Sequence, residues 1–348
     1  MHIILREDME KISAADFIDW DKLRGKTILI TGATGLIGFS LVNALSFTNA
    51  KKSIGLKIIA VVRDIEKARK MFTGLPDLSF VVSNAEDLKD IDGEVDYIVH
   101  GASPTASKYF VTHPVETIRT ALIGTANLLN IAKAKNVAGF VYLSSMEVYG
   151  HVGYERLLRE SDLGYIDPLN PRNSYPESKR MCEAMCAAYA HEYGVPAKIV
   201  RLVMTFGPGM PYDDARVCAE FMRHIIEERD IVLKTKGETK RCYLYTADAV
   251  TAILAILLNG EAGHTYNAAN PETYCSVREM AEMCARDISG GKISVKFSLN
   301  EDTSMYPAPG FLNLDVSALK NCGWHPSLNL KEMYTRTIDY IRSHHATI

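Results

Sequence analysis

The stretch Lys26–Ser40, KTILITGATGLIGFS, decides the fold. Its apolar run Thr27–Ile30 breaks into Gly32, Gly35 and Gly38, and a helical apolar pattern follows, so it reads as strand, tight turn and helix. In that setting the glycines let the backbone turn and come close to a pyrophosphate. The free N–H groups and positive dipole of the helix start attract its charge. Glycine loops also serve plain turns, but a strand before and a helix after make dinucleotide binding the expectation.

Working outward, further strands are expected at Lys57–Val62, Leu78–Val82, Tyr97–His100, Gly139–Leu143 and Ala197–Val203. Helical patterns such as Glu66–Phe72, Pro114–Lys135 and Tyr175–Tyr193 separate them, and Asp16–Leu23 reads as a short helix covering the sheet edge. This alternation implies a parallel, doubly wound α/β sheet with right-handed crossovers. Ligands then gather at the carboxyl ends of the strands, which puts Gly32, Arg63, Asn84, Ala102 and Ser103 around one crevice. Arg63-Asp64 falls where a cofactor ribose is expected. An acid there favours NAD, an arginine can pair with the 2′-phosphate of NADP, and a solvated pair opening the next helix is the third reading.

Beyond residue 205 the alternation is irregular, with Asp214–Glu228 and Asp248–Leu258 helical and Arg241–Leu244 extended. The expected division is therefore 1–205 for cofactor binding, with an N-terminal extension, and 206–348 mainly for substrate, some segments returning to the sheet. At 348 residues, 47% apolar and 23% charged, the composition is that of an ordinary globular chain. A net charge of −3 offers no broad attraction to nucleic acid or anionic membranes. The first 25 residues lack the apolar core of a signal peptide or membrane span. Seven scattered cysteines without paired ligand spacing suit a reducing cytoplasm and no metal site, and Cys182 and Cys186, on one helix face, read as packing.

The fifth strand delivers SSMEVYG (Ser144–Gly150) to the rim, and Tyr175-Pro-Glu-Ser-Lys179 opens a helix. Residues four apart on a helix face the same way, and Pro176 is tolerated in the first turn. Tyrosine is a poor base at its ordinary pKa near 10, and a nearby ammonium favours the phenolate. If Ser145 bonds the same substrate oxygen, Tyr175 can take the hydroxyl proton while a hydride leaves for a nicotinamide. The alternative is that Tyr175 and Lys179 are merely half-buried helix residues.

TGATGLIG, SSMEVYG and YPESK together resemble the extended short-chain dehydrogenase/reductase family, of the NAD-dependent epimerase/dehydratase kind. Within it, HGASP (His100–Pro104), HPVETIRTALIGTANLL (His113–Leu129), NPRNSYPESKRMCE (Asn170–Glu183), TFGPGM (Thr205–Met210), RCYLYTADAV (Arg241–Val250) and GWHPS (Gly323–Ser327) look closest to UDP-glucuronate decarboxylases and related nucleotide-sugar enzymes. The resemblance implies a Rossmann-type sheet with a smaller C-terminal α/β substrate-binding portion. It implies a cofactor rim of Gly32, Thr34, Gly35, Leu36, Ile37, Gly38, Arg63, Asp64, Asn84, Ala85, Ala102 and Ser103, together with Tyr175 and Lys179. The catalytic set would be Ser145, Tyr175, Lys179 and Glu147, with Thr105, Arg216 and Arg241 on a nucleotide-diphosphate sugar. A homodimer through the helices around Pro114–Lys135 and Tyr175–Tyr193 is also implied.

The departures from that pattern discriminate among reactions. In 4,6-dehydratases an Asp-Glu pair follows the catalytic Ser/Thr, the Asp protonating the departing water. Here the pair is Met146-Glu147, and a thioether donates no proton. Decarboxylases use an arginine near the C-terminus for the sugar carboxylate, yet Phe297–Leu319 holds neither Arg nor Lys, and MYPAPGFL (Met305–Leu312) occupies that region. Met204 replaces the asparagine usual before the TFGP-like motif. Glu147 is left to remove a C5 proton or merely to orient its loop. The expectation is transient oxidation of a nucleotide-linked sugar by NAD, or NADP through Arg63, most simply for epimerisation. The alternatives are a decarboxylase-like or dehydratase-like lyase, an NADPH-dependent 4-keto-sugar reductase, and a non-catalytic NAD(P)-sensing protein.

Overall fold

The computed structural model describes residues 1–105, 107–299 and 310–345. Helix α1 (Ile3–Ala14) precedes β1 (Thr27–Thr31), α2 (Leu36–Lys52), β2 (Lys57–Val62), α3 (Ile65–Met71), β3 (Leu78–Val82) and β4 (Tyr97–His100). Next come α4 (Ser107–Thr112), α5 (Pro114–Ala134), β5 (Gly139–Ser145), β6 (Leu157–Leu158), α6 (Ser174–Tyr193), β7 (Ala197–Leu202) and β8 (Met204–Phe206). The remainder runs through α7 (Val217–Ile226), β9 (Ile231–Leu233), β10 (Lys240–Tyr245), α8 (Thr246–Asn259), β11 (Thr265–Ala268) and β12 (Asn270–Ser276). It ends with α9 (Val277–Met283), β13 (Val295–Phe297), β14 (Phe311–Leu314), α10 (Ser317–Lys320) and α11 (Leu330–His345).

Seven strands in the order β11-β7-β5-β4-β1-β2-β3 make one sheet whose pairs are all parallel. A parallel sheet needs helices on both faces, so its inner strands are buried twice over, while the edge strand β3 is only partly covered. In β1, Ile28 and Ile30 pack into the core formed with α2 and α8, whereas Leu29 packs the other way, with Leu128 of α5 and Cys182 of α6. Helix α8 is buried on nearly all sides, which is why its sequence is apolar around the whole circumference rather than along one stripe. This is the Rossmann-type doubly wound α/β fold. A second, mixed sheet runs β12-β10-β14-β6, with β8 also pairing β10, and β13 pairs β9.

The N-terminal segment differs from expectation. Only Trp20–Leu23 of the expected helix forms, as a single 3-10 turn capped by Asp19. The helix is instead α1, which packs on α2 and α8 rather than on the sheet edge. Its buried face contains Asp8, only 2% exposed. That charge is tolerable because Tyr245 donates to it at 2.7 Å and Arg336 at 2.8 Å. Both partners lie more than 200 residues away in sequence, so no local pattern announces them.

Candidate active site

The turn after β1 is built for close approach. Gly32 has φ +72°, and a Cβ there would sit 2.7 Å from the Gly101 backbone. A Cβ on Gly38 would lie 2.2 Å from the Gly32 carbonyl oxygen. Helix α2 starts with Gly35 as its N-cap and no side-chain cap bond, which leaves the first-turn N–H donors to a ligand's oxygens. Around this turn Thr34, Leu36 and Ile37 are half-buried and Gly35 is exposed. These residues fit a dinucleotide pyrophosphate. Asn84 is exposed and donates to Asp87 at 2.9 Å, while Ala85 is buried under α5 beside Gly124. Ala102 and Ser103 are half-buried beyond β4.

Arg63 and Asp64 are both exposed at the end of β2. Asp64 is the N-cap of α3, accepting from the Lys67 N–H at 2.9 Å. One carboxylate oxygen is thereby committed to the helix.

Beneath the turn, His100 orders a chain of hydrogen bonds. The Thr31 hydroxyl accepts from the Gly101 and Ala102 N–H groups at 3.2 and 3.1 Å, so its own proton goes to His100 Nδ1, 2.7 Å away. Nε2 then carries the imidazole proton and donates to Thr125 Oγ1 at 3.2 Å, which donates to Cys182 Sγ at 3.2 Å. Burial, with the Lys179 charge second, pulls His100 down to about 3, so it stays neutral. Cys182 and Cys186 are fully buried, and among the described residues no cluster could hold a metal ion.

Ser145 ends β5, and Tyr175 and Lys179 occupy the first two turns of α6, which packs against that strand. The Ser145 side chain faces the Tyr175 phenol and favours its ionised form, while its hydroxyl accepts from the Glu147 N–H at 3.2 Å. Tyr175 is buried and stacks on Phe110 of α4 with ring centroids 4.3 Å apart and planes 5° from parallel. Lys179 Nζ donates to the Leu143 carbonyl at 2.7 Å and sits 5.7 Å from the Tyr175 ring centroid. Burial lowers Lys179 to about 8. The anticipated acidification of Tyr175 by this lysine does not dominate in the protein alone. Burial raises the phenol well above its ordinary value and Glu147 adds to the rise, against the Ser145 hydrogen bond and Arg172.

The two residues after Ser145 diverge. Met146 turns into the apolar core, only 6% exposed, and Glu147 forms an ion pair with Arg172 at 3.1 Å. Arg172 and Phe110 escape a sequence reading, because only the packing of α4 and the 3-10 turn Pro171–Asn173 beside α6 brings them to Tyr175. Arg216 is fixed by Asp214 at 2.9 Å and by the Thr205 carbonyl at 2.8 Å. Arg241, on β10, is half-buried with its Nε unpartnered, and Thr105 is exposed. A separate cavity of about 700 Å³, lined by Lys236, Lys240, Arg278 and Phe297, includes none of the triad. Of the segment Met305–Leu312, residues 305–309 lie outside the described residues.

Comparison with known proteins shows what the whole chain is similar to. The family described as "NAD dependent epimerase/dehydratase family" matches residues 28–269. The chain is 30% identical over 321 residues to UDP-glucuronic acid decarboxylase 1 of Xenopus tropicalis, covering 91% of this chain and 72% of that protein. The fold matches UDP-glucose 4-epimerase of Thermotoga maritima, solved with UDP-glucose, at TM-score 0.75 and 21% identity over 91% of this chain and 99% of that one. It also matches a dTDP-glucose 4,6-dehydratase of Streptomyces venezuelae, solved with NAD, at TM-score 0.76 and 21% identity over 92% and 98%. The chain belongs to the NAD-dependent epimerase/dehydratase family and is an NAD-dependent enzyme.

Proposed function

We propose that the protein oxidises a nucleotide-diphosphate sugar transiently to a keto-sugar and returns the hydride to the opposite face, an epimerisation. The observation that carries this reading is the divergence at the end of β5: Ser145 faces Tyr175 on the helix that packs against the strand, while Met146 is buried in apolar core. In the proposed mechanism Ser145 bonds the sugar hydroxyl and Tyr175, once ionised, accepts its proton. Lys179 donates to the strand that carries Ser145 and so holds helix and strand in register. Bound NAD supplies the hydride acceptor and donor. Net dehydration needs a proton donor that reaches the sugar from beside Ser145, and Met146 is a thioether that turns into the core instead. Glu147 lies close enough to influence Tyr175 and is proposed as the group that handles an acidic proton next to the ketone.

Gly32, Thr34, Gly35, Leu36, Ile37 and Gly38 would hold the NAD pyrophosphate, with Asp64 and Arg63 toward the ribose and Asn84, Ala85, Ala102 and Ser103 along the crevice. Thr105, Arg216 and Arg241 are proposed for the sugar diphosphate, a role suited to guanidinium forks. A second reading, decarboxylation of a nucleotide uronate, is favoured by the 30% identity to the Xenopus decarboxylase. The absence of Arg and Lys from 297–319 weighs against it. Apolar residues exposed at helical spacing, Val115 and Ile118 on α5 and Met181 on α6, support a homodimer through these helices. Five buried and two half-buried free cysteines suit a cytoplasmic protein.

Purified protein incubated with NAD and a panel of nucleotide sugars, followed by NMR, tests the reading. An epimer should accumulate to an equilibrium mixture without net change in NAD. Carbon dioxide release or a stable 4-keto-6-deoxy product would overturn it.

A further inference from the structure

Three flat groups lie in a row that ends at Tyr175. The Arg172 guanidinium lies 5.3 Å from the Phe110 ring centroid, and Phe110 stacks in parallel on Tyr175 at 4.3 Å. The same guanidinium donates through Nη2 to Glu147 Oε2 at 3.1 Å. Its other terminal nitrogen, Nη1, is buried without a hydrogen-bond partner. The backbone under it is fixed, since the Arg172 N–H donates to the Asn170 side chain at 3.0 Å. A residue serving only as a surface ion pair would have no reason to bury an unpartnered N–H or to cover an aromatic ring.

Taking the oxidation reading above as given, we propose that Arg172 is a positioning residue for Tyr175. Bridging Phe110 and Glu147, it holds the acid and the aromatic stack in place, and it supplies the positive charge that offsets Glu147 when the phenol gives up its proton.

The charges around the phenol set the direction. Tyr175 is faced by Glu147 from the turn after β5, by Arg172 from the turn before α6, by Lys179 from its own helix and by Tyr142 from β5; α4 presents the uncharged Phe110. Lys179 spends a proton on the Leu143 carbonyl rather than on the phenol. Glu147 opposes ionisation of Tyr175 and Arg172 favours it. The proton lost in ionisation goes to solvent, and the phenolate is then free to take the sugar hydroxyl proton. Without Arg172, Glu147 would stand uncompensated beside the forming phenolate.

The test is the ionisation midpoint of Tyr175, read without any sugar as the tyrosinate ultraviolet absorbance of the NAD-loaded protein, with Tyr175→Phe subtracted to remove the other tyrosines. The pH dependence of kcat on whichever sugar turns over is measured in parallel. Glu147→Gln should lower the midpoint by on the order of one pH unit, and Arg172→Gln should raise it by a smaller amount. Arg172→Lys, which keeps the charge but not the planar fork, should restore most of the midpoint while leaving kcat below wild type. A midpoint unmoved in both Arg172→Gln and Glu147→Gln would overturn the proposal, even if kcat fell. If Arg172→Gln does not fold, Glu147→Gln and Arg172→Lys still decide it. Because the titration needs no substrate, a failure of the nucleotide-sugar reading would show separately, as shifted midpoints with no turnover on any sugar.

Discussion

Arg201→Met should destabilise the protein by about 3–5 kcal/mol, the cost of leaving a buried carboxylate without its partner. Arg201 lies on β7 and Glu183 on α6, with side chains 5% and 11% exposed. Nη2 meets Oε2 at 2.7 Å and Nε meets Oε1 at 3.0 Å, a two-pronged geometry. Ser144 donates to the same carboxylate at 2.5 Å, and Arg201 Nη1 donates to the Glu160 carbonyl at 2.6 Å. Burial alone would disfavour the guanidinium charge, but Glu183 more than reverses that, and the Arg201 pKa is raised. The pair therefore ties the residue next to Ser145 to the helical turn after Lys179. Thermal unfolding followed by circular dichroism is the assay. Taking the low end of the 2–4 °C per kcal/mol seen in somewhat smaller domains, the melting temperature should fall by roughly 6–10 °C. Glu183→Leu combined with Arg201→Met removes both charges and should recover most of that loss. A single variant melting within about 2 °C of wild type, or a double variant no better than the single, would refute the reasoning.

Gly38→Ala places a methyl where the Gly32 carbonyl oxygen is only 2.2 Å away, so the turn must shift. NAD affinity by calorimetry should fall about tenfold or more, or about 1.4 kcal/mol. Gly35→Ala, with 3.3 Å to the same oxygen, should be milder. Tyr175→Phe should cut kcat by about 10²–10⁴, because it removes the proton acceptor while keeping the ring stacked on Phe110. His100 titrates at about 3 when folded and near 6.5 when unfolded, so below pH 6.5 the unfolded chain takes up a proton that the folded one refuses. Stability is full above that range and should fall with pH by on the order of 1.4 kcal/mol per unit toward pH 3, and His100→Gln should flatten this limb of the melting curve.

Six of the seven strands were legible: the inner ones are buried on both faces, so a short continuous apolar run is its own signature, as in Thr27–Thr31, whereas β11, the short edge strand Thr265–Ala268 (TYNA), carries no such run and was not expected. The glycine turn was legible for a related reason: its constraint acts on the backbone of the residues that carry it. Helix α1 was not, since the burial of its Asp8 depends on a hydrogen bond from Tyr245 and an ion pair with Arg336, both more than 200 residues away. Phe110, Arg172 and His100 were hidden likewise. Each owes its place to contacts between separate elements, and a spacing rule sees only one element at a time.

The charge at Tyr175 shows why motif chemistry needs the packed structure. Y-x-x-x-K places lysine and tyrosine on one helix face, and spacing alone assigns the lysine the task of ionising the phenol. In the folded chain Lys179 bonds the Leu143 carbonyl, burial and Glu147 hold the phenol protonated, and the charge that offsets them is that of Arg172. The same holds for the adjacent pair Met146-Glu147, which sequence presents as one unit. Strand β5 ends there, and the 3-10 turn that follows sends one side chain into the core and the other to the rim. A carboxylic acid installed at 146 would thus enter apolar surroundings rather than reach a sugar, so Met146→Asp alone should not create dehydratase activity, and a 4-keto-6-deoxy product formed by that variant would contradict the placement.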